Sequence, residues 1–160
     1  LGGGGMIEGV SKERFGVTDL PWRFEAGTPN ISDGVAFAEA LAFINEIGLS
    51  SIYKHEKELM GYAIEKVGGI EGVTIIGPLD PEIRMGALSF VVDAVHPHDL
   101  SSLLDERGVA IRAGHHCAMP LHIELKTPAT SRISLAVYNT KEDIDVAVEG
   151  IREAREQFMK

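Results

Sequence analysis

Val109-Ala110-Ile111-Arg112-Ala113-Gly114-His115-His116-Cys117 opens a segment that closes at Arg132-Ile133-Ser134-Leu135-Ala136-Val137. Both ends alternate with the period of two that a half-buried strand requires. Val109 and Ile111 fall on one face and Arg112 on the other; Ile133, Leu135 and Val137 share a face that Arg132 does not. The spacing predicts strands over 109–112 and 132–137. Between them runs a long stretch without sustained periodicity, interrupted by Pro120 and Pro128. Long structureless stretches are uncommon inside compact domains, where they tend to be lids or binding loops.

Outward from this loop the pattern is mixed. Residues 6–10 read as a short strand and 11–30 as irregular, with Pro21 and Pro29 as breakers. A helix is predicted over 32–47; Val35, Phe37, Leu41, Phe43 and Ile44 make it apolar almost all round, a pattern that asks for burial on most sides. Gly48 suits the position just past its end. A second helix over 51–67 carries the stripe Ile52, Leu59, Met60, Ala63, Ile64 and Val67, and Gly68-Gly69 stop it. Strands follow at 73–76 and 87–92. Pro97 starts a short helix with Leu100, Leu103 and Leu104 inward, ended by Gly108. Thr140 with Asp143 forms a capping-box pattern before a last helix bearing Ile144, Ala147, Val148, Ile151 and Phe158. The fold class expected is α/β, of the α+β kind: a small mixed or antiparallel sheet covered by helices. The one candidate boundary lies near Gly48, giving 1–47 and 48–160.

With 44% apolar and 24% charged residues the chain has a globular composition. Its net charge of -9 argues against a nucleic-acid partner. No run reaches the roughly 20 apolar residues of a membrane span, and no signal-peptide pattern opens the chain. The single cysteine, Cys117, makes no internal disulfide and suits a reducing, cytoplasmic compartment.

Cys117 is either a small buried hydrophobe or a reactive thiol. Its place in a polar loop, directly after His115 and His116, brings the second reading level with the first. Arg112 and Arg132 at the strand ends are either a clamp for a carboxylate, which the planar guanidinium fork suits, or two solvated surface groups. A metal site is weaker. His96, His98, His115, His116 and His122 are available with Cys117, but adjacent side chains seldom converge on one ion, and no CxxC or HExxH spacing occurs.

Taken as a string, residues 112–121, Arg-Ala-Gly-His-His-Cys-Ala-Met-Pro-Leu, followed by residues 131–140, Ser-Arg-Ile-Ser-Leu-Ala-Val-Tyr-Asn-Thr, resemble the active-site region of SufS-type cysteine desulfurases. These are class V, fold-type I pyridoxal-phosphate enzymes. The glycine run 2–5 with Met6-Ile7, and residues 22–29, Trp-Arg-Phe-Glu-Ala-Gly-Thr-Pro, match that family in order and approximate spacing. The resemblance implies that residues 1–47 are the tail of the large cofactor domain and 48–160 the C-terminal small domain. It implies that Cys117 takes sulfur from L-cysteine as a persulfide, leaving L-alanine, with selenocysteine lyase activity as a close variant. Arg132 would hold the substrate carboxylate, with Arg112 as a second cation. Thr28, Gly2 and Gly3 would reach the cofactor phosphate of a homodimer partner. The lysine that binds pyridoxal 5'-phosphate would lie upstream of Leu1, so this piece alone is expected to be inactive. A SUF-type acceptor protein would receive the sulfur for iron–sulfur cluster assembly, and no metal is implied. The resemblance gives His115 and His116 no role. Two other readings stand beside it: a non-catalytic fragment that docks a sulfur acceptor or partner subunit, and a thiol- or metal-binding domain.

Overall fold

The computed structural model describes residues 2–84 and 86–159. The chain divides into two compact units, Leu1–Gly48 and Leu49–Lys160.

In the first unit β1 (Ile7–Val10) and β2 (Phe15–Val17) pair as an antiparallel hairpin. Phe15–Val17 is thus a strand within 11–30, the stretch expected to be irregular on Pro21 and Pro29, and Ser-Lys-Glu-Arg carries no Asn-Gly or Asp-Gly signal of a tight hairpin. The turn is closed instead by Ser11, whose N–H donates to the Arg14 carbonyl at 2.8 Å while its hydroxyl accepts from the Arg14 N–H at 3.1 Å. A 3-10 turn at Trp22–Phe24 leads toward α1 (Ile31–Ile47), whose first turn is capped by Asn30 accepting from the Asp33 N–H at 3.2 Å. The burial expected for this apolar helix is not found: no residue of α1 is buried, and Phe37 and Phe43 stay 64% and 58% exposed.

The second unit contains α2 (Leu49–Gly68), β3 (Val73–Ile76), β4 (Ala87–Val92), α3 (Pro97–Asp105), β5 (Arg112–Gly114), α4 (Met119–Glu124), β6 (Thr130–Ser134) and α5 (Lys141–Phe158). Its strands form one sheet in the order β3-β4-β6-β5, antiparallel at every pairing. Leu88, Phe90 and Val92 alternate inward along β4 and Ile133 follows on β6. Against that face pack Leu59, Met60, Ala63 and Val67 of α2, Leu100 and Leu104 of α3, and Ile144, Ala147, Val148 and Ile151 of α5. Each fully buried Leu, Ile or Phe contributes roughly 1.5–3 kcal/mol through loss of hydrated apolar surface. The capping box holds as a reciprocal pair: Thr140 Oγ1 accepts from the Asp143 N–H, and the Asp143 carboxylate from the Thr140 N–H.

Two strand assignments shift. The third strand is Arg112–Gly114 and not 109–112, because the Val109 N–H closes the end of α3 onto the Leu104 carbonyl at 3.0 Å. Val109 and Ile111 still pack against the core, but from a connection without ladder bonds. The fourth is Thr130–Ser134 and not 132–137, since Ala136 and Asn139 turn back on each other through two hydrogen bonds of 2.9 and 3.0 Å. The stretch between is not structureless either. It holds α4, with Pro120 in its first turn, where a missing N–H costs nothing.

Candidate functional site

β5 delivers the chain into a four-residue turn, His115 to Ala118, closed by the Ala118 N–H donating to the His115 carbonyl at 2.8 Å. The two central residues, His116 and Cys117, both lie in the left-handed region, with φ of 53° and 62°. Positive φ at both centres is the geometry that Asn-Gly and Gly-Gly usually supply. Here it is occupied by two bulkier residues, at a cost of roughly 1–2 kcal/mol each. The outcome is an exposed Cys117 thiol raised on a tight turn.

Register fixes what lies beside it. Arg112 pairs with Arg132, Ala113 with Ser131 and Gly114 with Thr130; Arg132 also pairs with Ser89 on the other side. Directly opposed residues share a face, so Ser89, Arg112, Thr130 and Arg132 stand on the face away from Phe90 and Ile133. Arg112 Nη2 donates to the Cys117 sulfur at 3.5 Å. Arg132 is half-buried and its Nε–H is buried without an acceptor among the described residues. Neither arginine forms an ion pair among the described residues. Two like charges directly across a ladder repel. The pair, with its idle donor, therefore suits an anion with planar oxygens arriving from outside, such as a carboxylate.

Thr130 anchors the turn and α4 over this face. His116 Nε2 lies 2.9 Å and His122 Nε2 3.4 Å from Thr130 Oγ1, and His122 Nδ1 lies 3.1 Å from the Ala118 carbonyl oxygen. Thr130 and His122 are both buried. The His116 imidazole is held below its ordinary proton affinity, chiefly by burial and then by the positive charges of Arg132 and Arg112. His122, a candidate metal ligand by residue type, instead meets Thr130 and Ala118, and Thr130 lies in no motif that marks it from sequence. The readable signal was register, because a residue two before Arg132 must share its face. Among the described residues no group of three His, Cys, Asp or Glu is placed to hold a metal ion.

Thr28, Gly2 and Gly3 belong to the first unit. The Gly27 N–H donates to the Gly4 carbonyl at 2.8 Å, and a Cβ on Gly3 would meet the Gly27 nitrogen at 3.0 Å. Glycine at position 3 is what lets the run pass this close to the bend at Gly27 and Thr28.

Residues 1–146 match the aminotransferase class-V family, and the chain belongs to it. Similar curated proteins in that family carry the name cysteine desulfurase. The chain is 47% identical over 158 residues to "Probable cysteine desulfurase 2" of Mycobacterium leprae, covering 99% of this chain and 38% of that protein. Its fold matches the apo structure of a cysteine desulfurase from Thermococcus onnurineus NA1 with a TM-score of 0.83 and 37% identity, over 97% of this chain and 38% of that one. The crystal structure of the cysteine desulfurase CsdA (S-sulfonic acid) from Escherichia coli matches with a TM-score of 0.82 and 33% identity, over 99% and 39%. The chain thus spans somewhat over a third of the length of these relatives, and its α/β build with small antiparallel sheets is that of the C-terminal part of fold-type I enzymes.

Proposed function

We propose that this chain is the C-terminal part of a pyridoxal-phosphate-dependent cysteine desulfurase in which Cys117 accepts sulfur from L-cysteine. The observation that carries the reading is the Arg112–Cys117–Arg132 arrangement: an exposed thiol 3.5 Å from one guanidinium, with the other directly across the ladder. The two arginines bind the substrate carboxylate and so orient the amino acid. Cys117 sulfur then forms a bond to the substrate sulfur as the carbon–sulfur bond breaks. Each of the two sulfurs is oxidised by one electron to the persulfide level, the β-carbon is reduced by the electron pair of the broken bond, and the proton given up by the Cys117 thiol balances the one that completes the methyl group of L-alanine. Pyridoxal phosphate, when bound, supplies the electron sink that makes the carbon–sulfur bond labile. Tethering the nucleophile on a strained, well-bonded turn lowers the entropic cost of reaching the sulfur.

The residues of the first unit fit the phosphate of such a group. Exposed Gly2 and half-buried Gly3 offer backbone N–H groups and exposed Thr28 an O–H, a chemistry suited to phosphate. In this reading they serve a homodimer partner's cofactor, and the Schiff-base lysine is supplied by the portion of the enzyme outside residues 1–160. Transfer to a SUF-type acceptor, use of the sulfur for iron–sulfur clusters, a SufS rather than NifS kinship and a cytoplasmic setting complete the proposal. The lone thiol and the wording of the Cys117 loop support them.

The complete protein that carries this sequence tests it. Incubation with L-cysteine should yield L-alanine and a Cys117-containing peptide heavier by one sulfur atom. Sulfide release unaffected by Cys117→Ala would overturn the mechanism.

A further inference from the structure

The Thr130 hydroxyl holds the Cys117 turn to the sheet beside the Arg112–Cys117 contact, and with a neutral His122 ring the donors and acceptors around it have one consistent arrangement. The Ala118 carbonyl can only accept, so the His122 nitrogen facing it at 3.1 Å, Nδ1, must carry a proton. In the neutral ring His122 Nε2 is then a bare acceptor. The Thr130 hydroxyl, 3.4 Å away, donates its one proton there. Its oxygen is left to accept, and the group that donates at 2.9 Å is His116 Nε2–H. His116 Nδ1 is consequently the unprotonated nitrogen, and it is buried without a partner among the described residues.

We infer that Thr130 and His122 are positioning residues for Cys117, joined by a directed chain from His116 Nε2–H through the Thr130 hydroxyl to His122 and on to the Ala118 carbonyl. The chain grips the turn on both sides of Cys117, at the residue before it and the residue after it. That double grip offsets the left-handed backbone of His116 and Cys117 and keeps the sulfur beside Arg112. Thr130 supplies this from a fully buried ladder position opposite Gly114, and is therefore a fixed point. Neutral His116 agrees with the scheme, since burial first, and then the charges of Arg132 and Arg112 on the strands, disfavour a second proton. The link to catalysis rests on the function proposed above; the chain of bonds does not.

Thr130→Val keeps the shape and removes the hydroxyl, and Thr130→Ser restores it. In the complete protein, amide hydrogen exchange over 115–118 should quicken roughly three- to tenfold in Thr130→Val, the loss expected for one or two buried hydrogen bonds. Thr130→Ser should return it to near the original rate, and His122→Leu should reproduce the loosening. Sulfur release should lose kcat in Thr130→Val with KM little changed, and regain it in Thr130→Ser. Unchanged exchange in Thr130→Val, or equal loss in Thr130→Ser, overturns the positioning role. A protein without Cys117-dependent sulfur release but with the exchange pattern intact would overturn the desulfurase reading alone.

Discussion

Arg112 and Arg132 are register partners across β5 and β6, two guanidinium groups on one face with no carboxylate paired to either among the described residues. A fold gains nothing from that placement unless an anion completes it. Removing one charge relieves a cross-strand repulsion worth roughly 0.2–1 kcal/mol. Arg132→Met should therefore leave stability unchanged or raise it by about that amount in urea unfolding at low salt. Sulfate at matched ionic strength should stabilise the unsubstituted chain more than chloride does, and Arg132→Met should lose the difference. A marked loss of stability in Arg132→Met would mean that the buried Nε–H already has an internal partner.

The thiol is held at a backbone position that favours glycine. At φ of 62° a Cβ is strained whatever the side chain, so Cys117→Gly and Cys117→Ala separate backbone strain from loss of the sulfur. Cys117→Gly should be more stable than Cys117→Ala by about 1 kcal/mol in denaturant unfolding. Equal stabilities would show that the turn carries no strain at this residue.

How far the sequence could be read follows from which information is local. The core helices were legible because α2 and α5 carry apolar stripes at helical spacing, and the Thr140–Asp143 box marks a start with its own chemistry. The hairpin at 7–17 was not, since a serine side chain does the work usually signalled by glycine. Strand ends at 112–114 and 130–134 moved because ladder bonds, not alternation, define them, and alternation continues through connections such as Val109–Ile111 that merely pack. In the site, the quoted motif drew attention to Cys117 and the two arginines. The Thr130 hydroxyl became visible only once Gly114 was set opposite it by pairing.

His116 gives the site a pH signature. Its proton affinity is lowered in the fold from the ordinary value of 6.5, with burial as the main cause. The unfolded chain is then the better proton binder, so the stabilising contribution is full above about pH 6.5 and is lost as pH falls through the lower folded value. Urea unfolding from pH 7.5 down to about 5 should show a drop that is shallower in His116→Gln, which keeps an amide donor for Thr130 but does not titrate. An equal slope in the two proteins would mean that the imidazole is not desolvated in the fold.

The apolar helix α1 makes the last prediction. Ile31, Val35, Phe37 and Phe43 each expose more than half their surface, as do Phe15, Trp22 and Phe24 in the same unit. Exposed apolar area on this scale marks an interaction surface or drives association. The chain spans 38% of the length of the Mycobacterium leprae relative, and the missing company for α1 is proposed to be the rest of the enzyme. The same substitution should then act in opposite senses in the two settings. In the 160-residue chain, Phe37→Glu with Phe43→Glu should reduce concentration-dependent association in sedimentation velocity. In the complete protein it should destabilise by roughly 1.5–3 kcal/mol for each ring that loses its burial. Both effects follow from one cause, apolar surface removed from water. An isolated chain that stays monomeric at high concentration, or a complete protein indifferent to the two charges, would show that α1 is a solvent-facing helix in spite of its composition.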